Sequence, residues 1–248
     1  MSQTATEPTS APSPPAPRRR LLRGLGWTLV VAGLLLLGFV FQQLVVTTWL
    51  ANRANTENVA RAEAYFERVP IRPAPPADTP TPPPPTSETE PSPEPPPELV
   101  VEAPPPEHEP FAILRIPSIP KLAEGWAVVE GVSYRDLKNG MGHMPDTALP
   151  GQPGNAVISG HRTTYGAPFY DLDTLEPGDV IEVETALGVH TYTVRETMVV
   201  SPFDLWVTEP RPGAWLTLTT CHPRFSARQR LVVFAELTAG PNFEAIYR

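Results

Sequence analysis

Cysteine is almost missing from this chain: Cys221 is the one thiol among 248 residues. No internal disulfide can form, and a single thiolate is too few for a structural zinc site of the usual four-ligand kind. A basic excess is missing too. The net charge is −8, and residues 111–248 carry 11 basic and 15 acidic groups, so no cationic face of the kind nucleic acid requires is expected. Nor is proline spread evenly. Of 35 prolines, 18 fall in residues 70–110 and five in residues 1–17, and a segment that dense in proline cannot sustain helix or ladder hydrogen bonds. One compact domain filling the chain is thereby excluded.

What the chain does have begins with a long apolar run. Leu25 to Phe41 holds no charge, and apolar character resumes from Leu44 to Leu50 after Gln42 and Gln43. Trp27 and Trp49 lie 22 residues apart, about 33 Å along a helix at ~1.5 Å per residue, which matches a hydrocarbon layer of ~30 Å bounded by interfacial tryptophans. A cleaved signal peptide would have an apolar region of only about 7 to 15 residues, and Thr47-Thr48-Trp49-Leu50-Ala51 is a poor cleavage site. Arg18, Arg19, Arg20 and Arg23 precede the run, whereas Arg53 and Arg61 beyond it are offset by Glu57 and Glu63. The reading is a cytoplasmic basic tail at 1–23 and a transmembrane signal-anchor helix at 24–50, crossing the cell membrane once with everything after it outside.

Residues 51–69 continue as a juxtamembrane helix, with Val59, Ala62, Phe66 and Val69 at helical spacing and Pro70 as the stop. From 70 to 110 the prolines alternate with glutamates, one basic group facing eight acidic ones. Such a tract favours polyproline II at ~3.1 Å per residue and has too little apolar surface to order into a core. It reads as a disordered stalk.

Residues 111–248 are enough for one hydrophobic core, and their pattern is all-β. Strands are expected at Phe111 to Ile116, Ala127 to Glu130, Ala156 to Ser159, Val180 to Thr185, His190 to Val200, Ala214 to Thr220 and Arg230 to Leu237. Helix is limited to a turn from Ser133, a cap for Tyr134 to Leu137, and another around Pro168 to Leu172. The expected architecture is a closed or nearly closed β-barrel.

Three chemically capable side chains sit at strand ends. Cys221 follows Trp215-Leu216-Thr217-Leu218-Thr219-Thr220, His161 follows Asn155-Ala156-Val157-Ile158-Ser159-Gly160, and Arg230 opens Leu231-Val232-Val233-Phe234. A thiol needs only a nearby base or positive charge to become a nucleophile, and an arginine can aim paired donors at a carbonyl. The three are expected to converge at one mouth of the barrel. Spacing alone leaves the bland alternative open, in which the cysteine is a small buried hydrophobe and the histidine a satisfied core residue.

Thr217-Leu218-Thr219-Thr220-Cys221, followed by Arg230-Leu231-Val232-Val233 nine residues after the cysteine, resembles the sortase signature. Upstream, Leu149 to Asn155, Ser159-Gly160-His161-Arg162-Thr163-Thr164-Tyr165-Gly166-Ala167-Pro168-Phe169 and Leu175 to Val180 resemble the histidine region of that family, most closely its class E. One departure is Gly142-His143-Met144-Pro145, where related members often have tyrosine in place of Met144. The resemblance implies a sortase-like barrel of about eight strands and a membrane-anchored cysteine transpeptidase of a hydrolase-like class. It would cleave LAxTG- or LPxTG-like sorting signals between Thr and Gly and pass the acyl group to a peptidoglycan precursor amine of a Gram-positive cell wall. Cys221 would be the nucleophile, His161 the acid and base, and Arg230 the donor to the substrate carbonyl. Thr220, Met144 and His222 would contact substrate. The implied partners are exported proteins bearing a C-terminal sorting signal, with no cofactor and no metal.

Rival readings are an inactive exported barrel used for binding or scaffolding, and an L,D-type transpeptidase, whose close histidine-glycine-cysteine run is missing here. A metal site from His143, His161, His222 and Cys221 would leave the thiolate poorly available for attack. Arg228 is the rival for the arginine role.

Overall fold

The computed structural model describes residues 17–74 and 97–248. Two units divide the chain, Met1–Gln42 and Gln43–Arg248. The first carries helix α1, Pro17–Phe41, within which Leu21–Phe41 is long and apolar enough to cross a membrane. A π turn at Gln42–Val46 separates α1 from helix α2, Thr47–Phe66. The apolar helix overlaps most of the expected 24–50; Trp49 is exposed, and Ala51, just past that range, is buried in the second unit.

The second unit is a closed barrel of eight strands: β3 (Pro110–Arg115), β4 (Trp126–Glu130), β5 (Met141–His143), β6 (Gly154–Ser159), β7 (Val180–Thr185), β8 (Gly188–Val200), β9 (Ala214–His222) and β10 (Gln229–Ala239). Around the barrel the order is β10-β8-β7-β3-β4-β5-β6-β9, with β4–β5 and β6–β9 parallel and the other pairs antiparallel. Closure leaves no free edge. Alternation directs one side of each strand inward, so that Ala156 and Ile158, Leu216 and Leu218, and Leu231, Val233, Ala235 and Leu237 meet Phe111, Leu114, Phe169 and Tyr192 in one core.

The Ser133 turn forms helix α4, Tyr134–Leu137, after a one-turn helix α3 at Pro120–Ala123, and Ser133 and Asp136 close a capping box. The second expected turn shifts to a 3-10 turn at Leu172–Thr174. A short helix α5, Phe243–Tyr247, closes the chain.

Segments outside the barrel also pack on it. Helix α2 lies against β3 and β4, burying Ala51, Asn58 and Ala62, and Asn55 both donates to the Gly125 carbonyl (3.3 Å) and accepts from the Ala127 amide (2.9 Å). The segment assigned to a stalk is ordered at both described ends. Strand β1 (Ile71–Pro73) pairs with β2 (Val100–Glu102), and Asn242 clasps the Val100 amide and carbonyl. Of the stalk expected over 70–110, residues 75–96 lie outside the described residues.

Candidate active site

The site follows from strand alternation. In β9, Ala214, Leu216 and Leu218 face the core, so Trp215, Thr217, Thr219 and Cys221 face outward. In β10 the same parity sends Arg230, Val232 and Phe234 outward, where Val232 and Phe234 pack with Val207 and Trp215 in a second apolar cluster under the connection from β8 to β9. Antiparallel register sets Cys221 opposite Arg230. Parallel register sets Ser159 beside Thr219; Cys221 lies two residues further along β9, and His161 lies two residues past the end of β6. Cys221 and Arg230 thus stand side by side on β9 and β10, and His161, on the loop that leaves β6, continues the row. Strand parity puts Cys221 and Arg230 on the side opposite the core residues Leu218 and Leu231 at this end of the barrel.

Thr220, of inward parity and buried, donates its hydroxyl to the Gly160 carbonyl at 2.7 Å, and the Gly160 amide donates to the Thr219 carbonyl at 3.2 Å. Those bonds lock the residue before Cys221 to the residue before His161. Thr220 therefore ties β9 to the residue that leads into His161. Below it, Thr217 donates to Asn155 (2.6 Å), whose amide holds the carbonyls of Val207 and Glu209, fixing the β8–β9 connection over the outer face. Met144 is not brought to the row. Its amide donates to the carbonyl of Val157, which aligns with Thr217, four residues before Cys221. His222 lies next to Cys221, paired with Gln229, half-buried, its Nδ1 without a hydrogen-bond partner.

His161 is half-buried, and burial alone holds its imidazole below the usual histidine range, favouring the neutral ring. Its Nε2 is buried and unpartnered. Arg230 donates Nη1 to the Ala227 and Gln229 carbonyls, both at 3.0 Å. The rival Arg228 sits on the loop before it, exposed, with Nε on the Ser226 hydroxyl (3.4 Å). Cys221 is a free, half-exposed thiol.

His143 belongs elsewhere. It is 1% exposed, with Nδ1 on Glu130 (2.7 Å) and Nε2 near the Ala148 carbonyl (2.9 Å), so both nitrogens are engaged and the four-residue metal set is not assembled. Among the described residues no group of three or more His, Cys, Asp or Glu side chains is placed to hold a metal.

Sequence reasoning undervalued a clamp beside the row. Arg162, 2% exposed, pairs with Asp173 (2.8 Å) and donates to the carbonyls of Tyr170 (2.9 Å) and Cys221 (3.5 Å). Arg224 holds Asp173 (2.8 Å) and Asp171 (3.4 Å) and lies over the Tyr170 ring. Together they fasten the loop after His161 to the loop after Cys221. The available signal was parity: a residue directly after an outward histidine turns inward, where an arginine needs a counter-charge.

A closed eight-strand barrel that carries a free thiol, an imidazole and a guanidinium at one end has the side chains that cysteine-dependent acyl transfer uses. Residues 117–238 match the Sortase domain family model. Sortase E1 of Streptomyces coelicolor, solved with a tripeptide in the active site, is 34% identical, with 53% of this chain and 90% of that one covered and a TM-score of 0.50. The SrtF sortase of Corynebacterium diphtheriae is 31% identical, with 55% and 88% covered and a TM-score of 0.52. Among curated proteins, Sortase SrtE1 of Streptomyces coelicolor is 36% identical over 143 residues, 51% of this chain and 40% of that protein. The chain belongs to the sortase family, and these Streptomyces relatives carry the class E resemblance read in its motifs. It spans about half the length or less of the curated relatives it matches.

Proposed function

We propose that this chain is a membrane-anchored cysteine transpeptidase acting on exported proteins with LAxTG- or LPxTG-like C-terminal signals. The single observation that carries the reading is the pairing of Cys221 with Arg230 on neighbouring strands, with His161 two residues past the end of the strand on the other side of Cys221. Neutral His161 takes the Cys221 proton as sulfur attacks the threonine carbonyl carbon. Arg230, released from the Ala227 and Gln229 carbonyls, and backbone amides after Cys221 stabilise the oxyanion. The carbon–nitrogen bond to glycine breaks as the imidazolium returns its proton to the leaving amine, leaving a thioester. An acceptor amine, by this reading one on a peptidoglycan precursor, then attacks; His161 takes its proton, and the thiol is restored. His222 remains the candidate substrate contact beside the nucleophile.

The arginines at 18, 19, 20 and 23 before the apolar helix support a cytoplasmic N-terminus with the barrel outside. Held near the bilayer, the enzyme would meet both lipid-linked precursors and emerging substrates. The test is cleavage of quenched LAxTG and LPxTG peptides by the detergent-solubilised chain, with and without an acceptor amine. Acyl transfer by the wild type and its loss in Cys221→Ala, His161→Ala and Arg230→Ala is expected. Equal cleavage by Cys221→Ala would overturn the reading.

A further inference from the structure

The loop after His161 turns back on the imidazole. Tyr165 places its ring 5.0 Å from the His161 ring, tilted by 42°. Its backbone, with those of Gly166 and Ala167, has φ of 51°, 79° and 44°, three successive left-handed residues of which two carry side chains. Bulky residues adopt that region only where surrounding contacts impose it, and such positions gather at functional sites. Here the contacts are plain. Ala167 donates to the Thr164 carbonyl (2.8 Å) and Phe169 to the His161 carbonyl (3.2 Å). Gly166 is seated so closely that a Cβ would stand 2.9 Å from the Trp126 ring and 3.1 Å from the Ala51 methyl.

The outer end of Tyr165 is held as well. Its hydroxyl shares a 2.6 Å hydrogen bond with that of Tyr134 on α4. The capping box fixes that helix, and the Asp136 carboxylate within it also engages His108 Nδ1 at 2.7 Å. The ring over His161 is therefore fixed at the backbone by a strained turn and at the hydroxyl by a second element.

We propose that Tyr165 is a positioning residue for His161: its ring keeps the imidazole in line with Cys221, and the Tyr134–Tyr165 hydroxyl pair latches it. This rests on the acid-base reading of His161. The titratable group against the imidazole is Tyr165, bonded to Tyr134; on the neighbouring strands and loops stand Cys221 and Arg230, Arg162 paired with Asp173, Arg224 paired with Asp171 and Asp173, and Lys121 over Trp126. Burial, to which the ring contributes, is the cause that lowers the imidazole's proton affinity.

The test uses the detergent-solubilised full chain, with steady-state kinetics on a sorting peptide and NMR titration of labelled histidine, His161→Ala assigning the signal. Tyr165→Ala should lower kcat by about 10-fold or more with KM within a few-fold, because misplacing a catalytic group acts on the chemical step. It should also raise the His161 midpoint towards the ordinary value. Tyr165→Phe, which keeps the ring, should keep the midpoint. Tyr134→Phe, at an exposed side chain, and Tyr165→Phe should each cost a similar few-fold in kcat, and the double variant no more than either. Tyr165→Ala with wild-type kcat and midpoint would overturn the proposal, and an unchanged Tyr134→Phe would overturn the latch. His161→Ala with full activity would instead overturn the acid-base reading itself.

Discussion

Glu102 is the least comfortable carboxyl in the fold and gives the most quantitative prediction. It ends β2, is 5% exposed, and burial pushes it from 4.5 up to about 7, with the Ala186 amide and Thr185 hydroxyl offsetting only part and neither closing a regular hydrogen bond. A carboxyl raised on folding binds its proton more tightly in the native state, so stability falls as pH rises from the unfolded value through the folded one. At about 1.4 kcal/mol per unit, a shift from 4.5 to about 7 is worth on the order of 3 kcal/mol. Glu102→Gln removes the titration and keeps the shape. In urea unfolding of the detergent-solubilised chain, followed by tryptophan fluorescence, the stability difference between Gln and wild type should grow by about 3 kcal/mol between pH 4.5 and 7.5. A difference that stays constant over that window would refute the reasoning, whatever its size.

Thr220→Val removes the tie between the Cys221 and His161 strands and leaves the Gly160 carbonyl unpaired; a loss of about 1–3 kcal/mol in stability is expected, with a fall in kcat, by unfolding and kinetics. Gly160→Ala would put a Cβ 2.7 Å from the Phe169 ring, pushing the His161 loop outward, so cleavage should drop more than the melting temperature suggests. Since burial lowers the His161 proton affinity, neutral imidazole is lost only as pH falls through a midpoint below 6.5; the acid limb of kcat/KM should lie there, and a limb above 6.5 would contradict it.

Most of the barrel was legible because its strands alternate. Val180–Thr185 falls where the Val-Ile-Glu-Val-Glu pattern puts it, and β6 and β9 differ from expectation only at their ends. Strand β5, three residues around glycine, carries too short a pattern to read. Helix α2 was foreseen as a helix but not as part of the barrel, because Asn55 and Asn58, polar residues that sequence assigns to solvent, face the protein. The ordered ends of the proline segment were missed for a similar reason. The bonds that hold Val100 come from Gln152 and Asn242, 52 and 142 positions away. At the site, the strand-end positions of Cys221 and Arg230 and the place of His161 just after β6 were readable from the apolar runs that precede or follow them, and the parity of Leu216 and Leu218 already set Cys221 apart from the core side. The hydroxyl of Thr220 and the Arg162–Arg224 clamp depend on which loops meet, which no local pattern encodes.

The most direct measurement is intact-mass spectrometry of the solubilised chain incubated with a sorting peptide in the absence of acceptor amine. The account predicts a mass gain equal to the peptide's acyl portion ending in threonine, mapped to Cys221 and released by hydroxylamine. Peptide turnover with no adduct on Cys221, or an adduct on another residue, would contradict it.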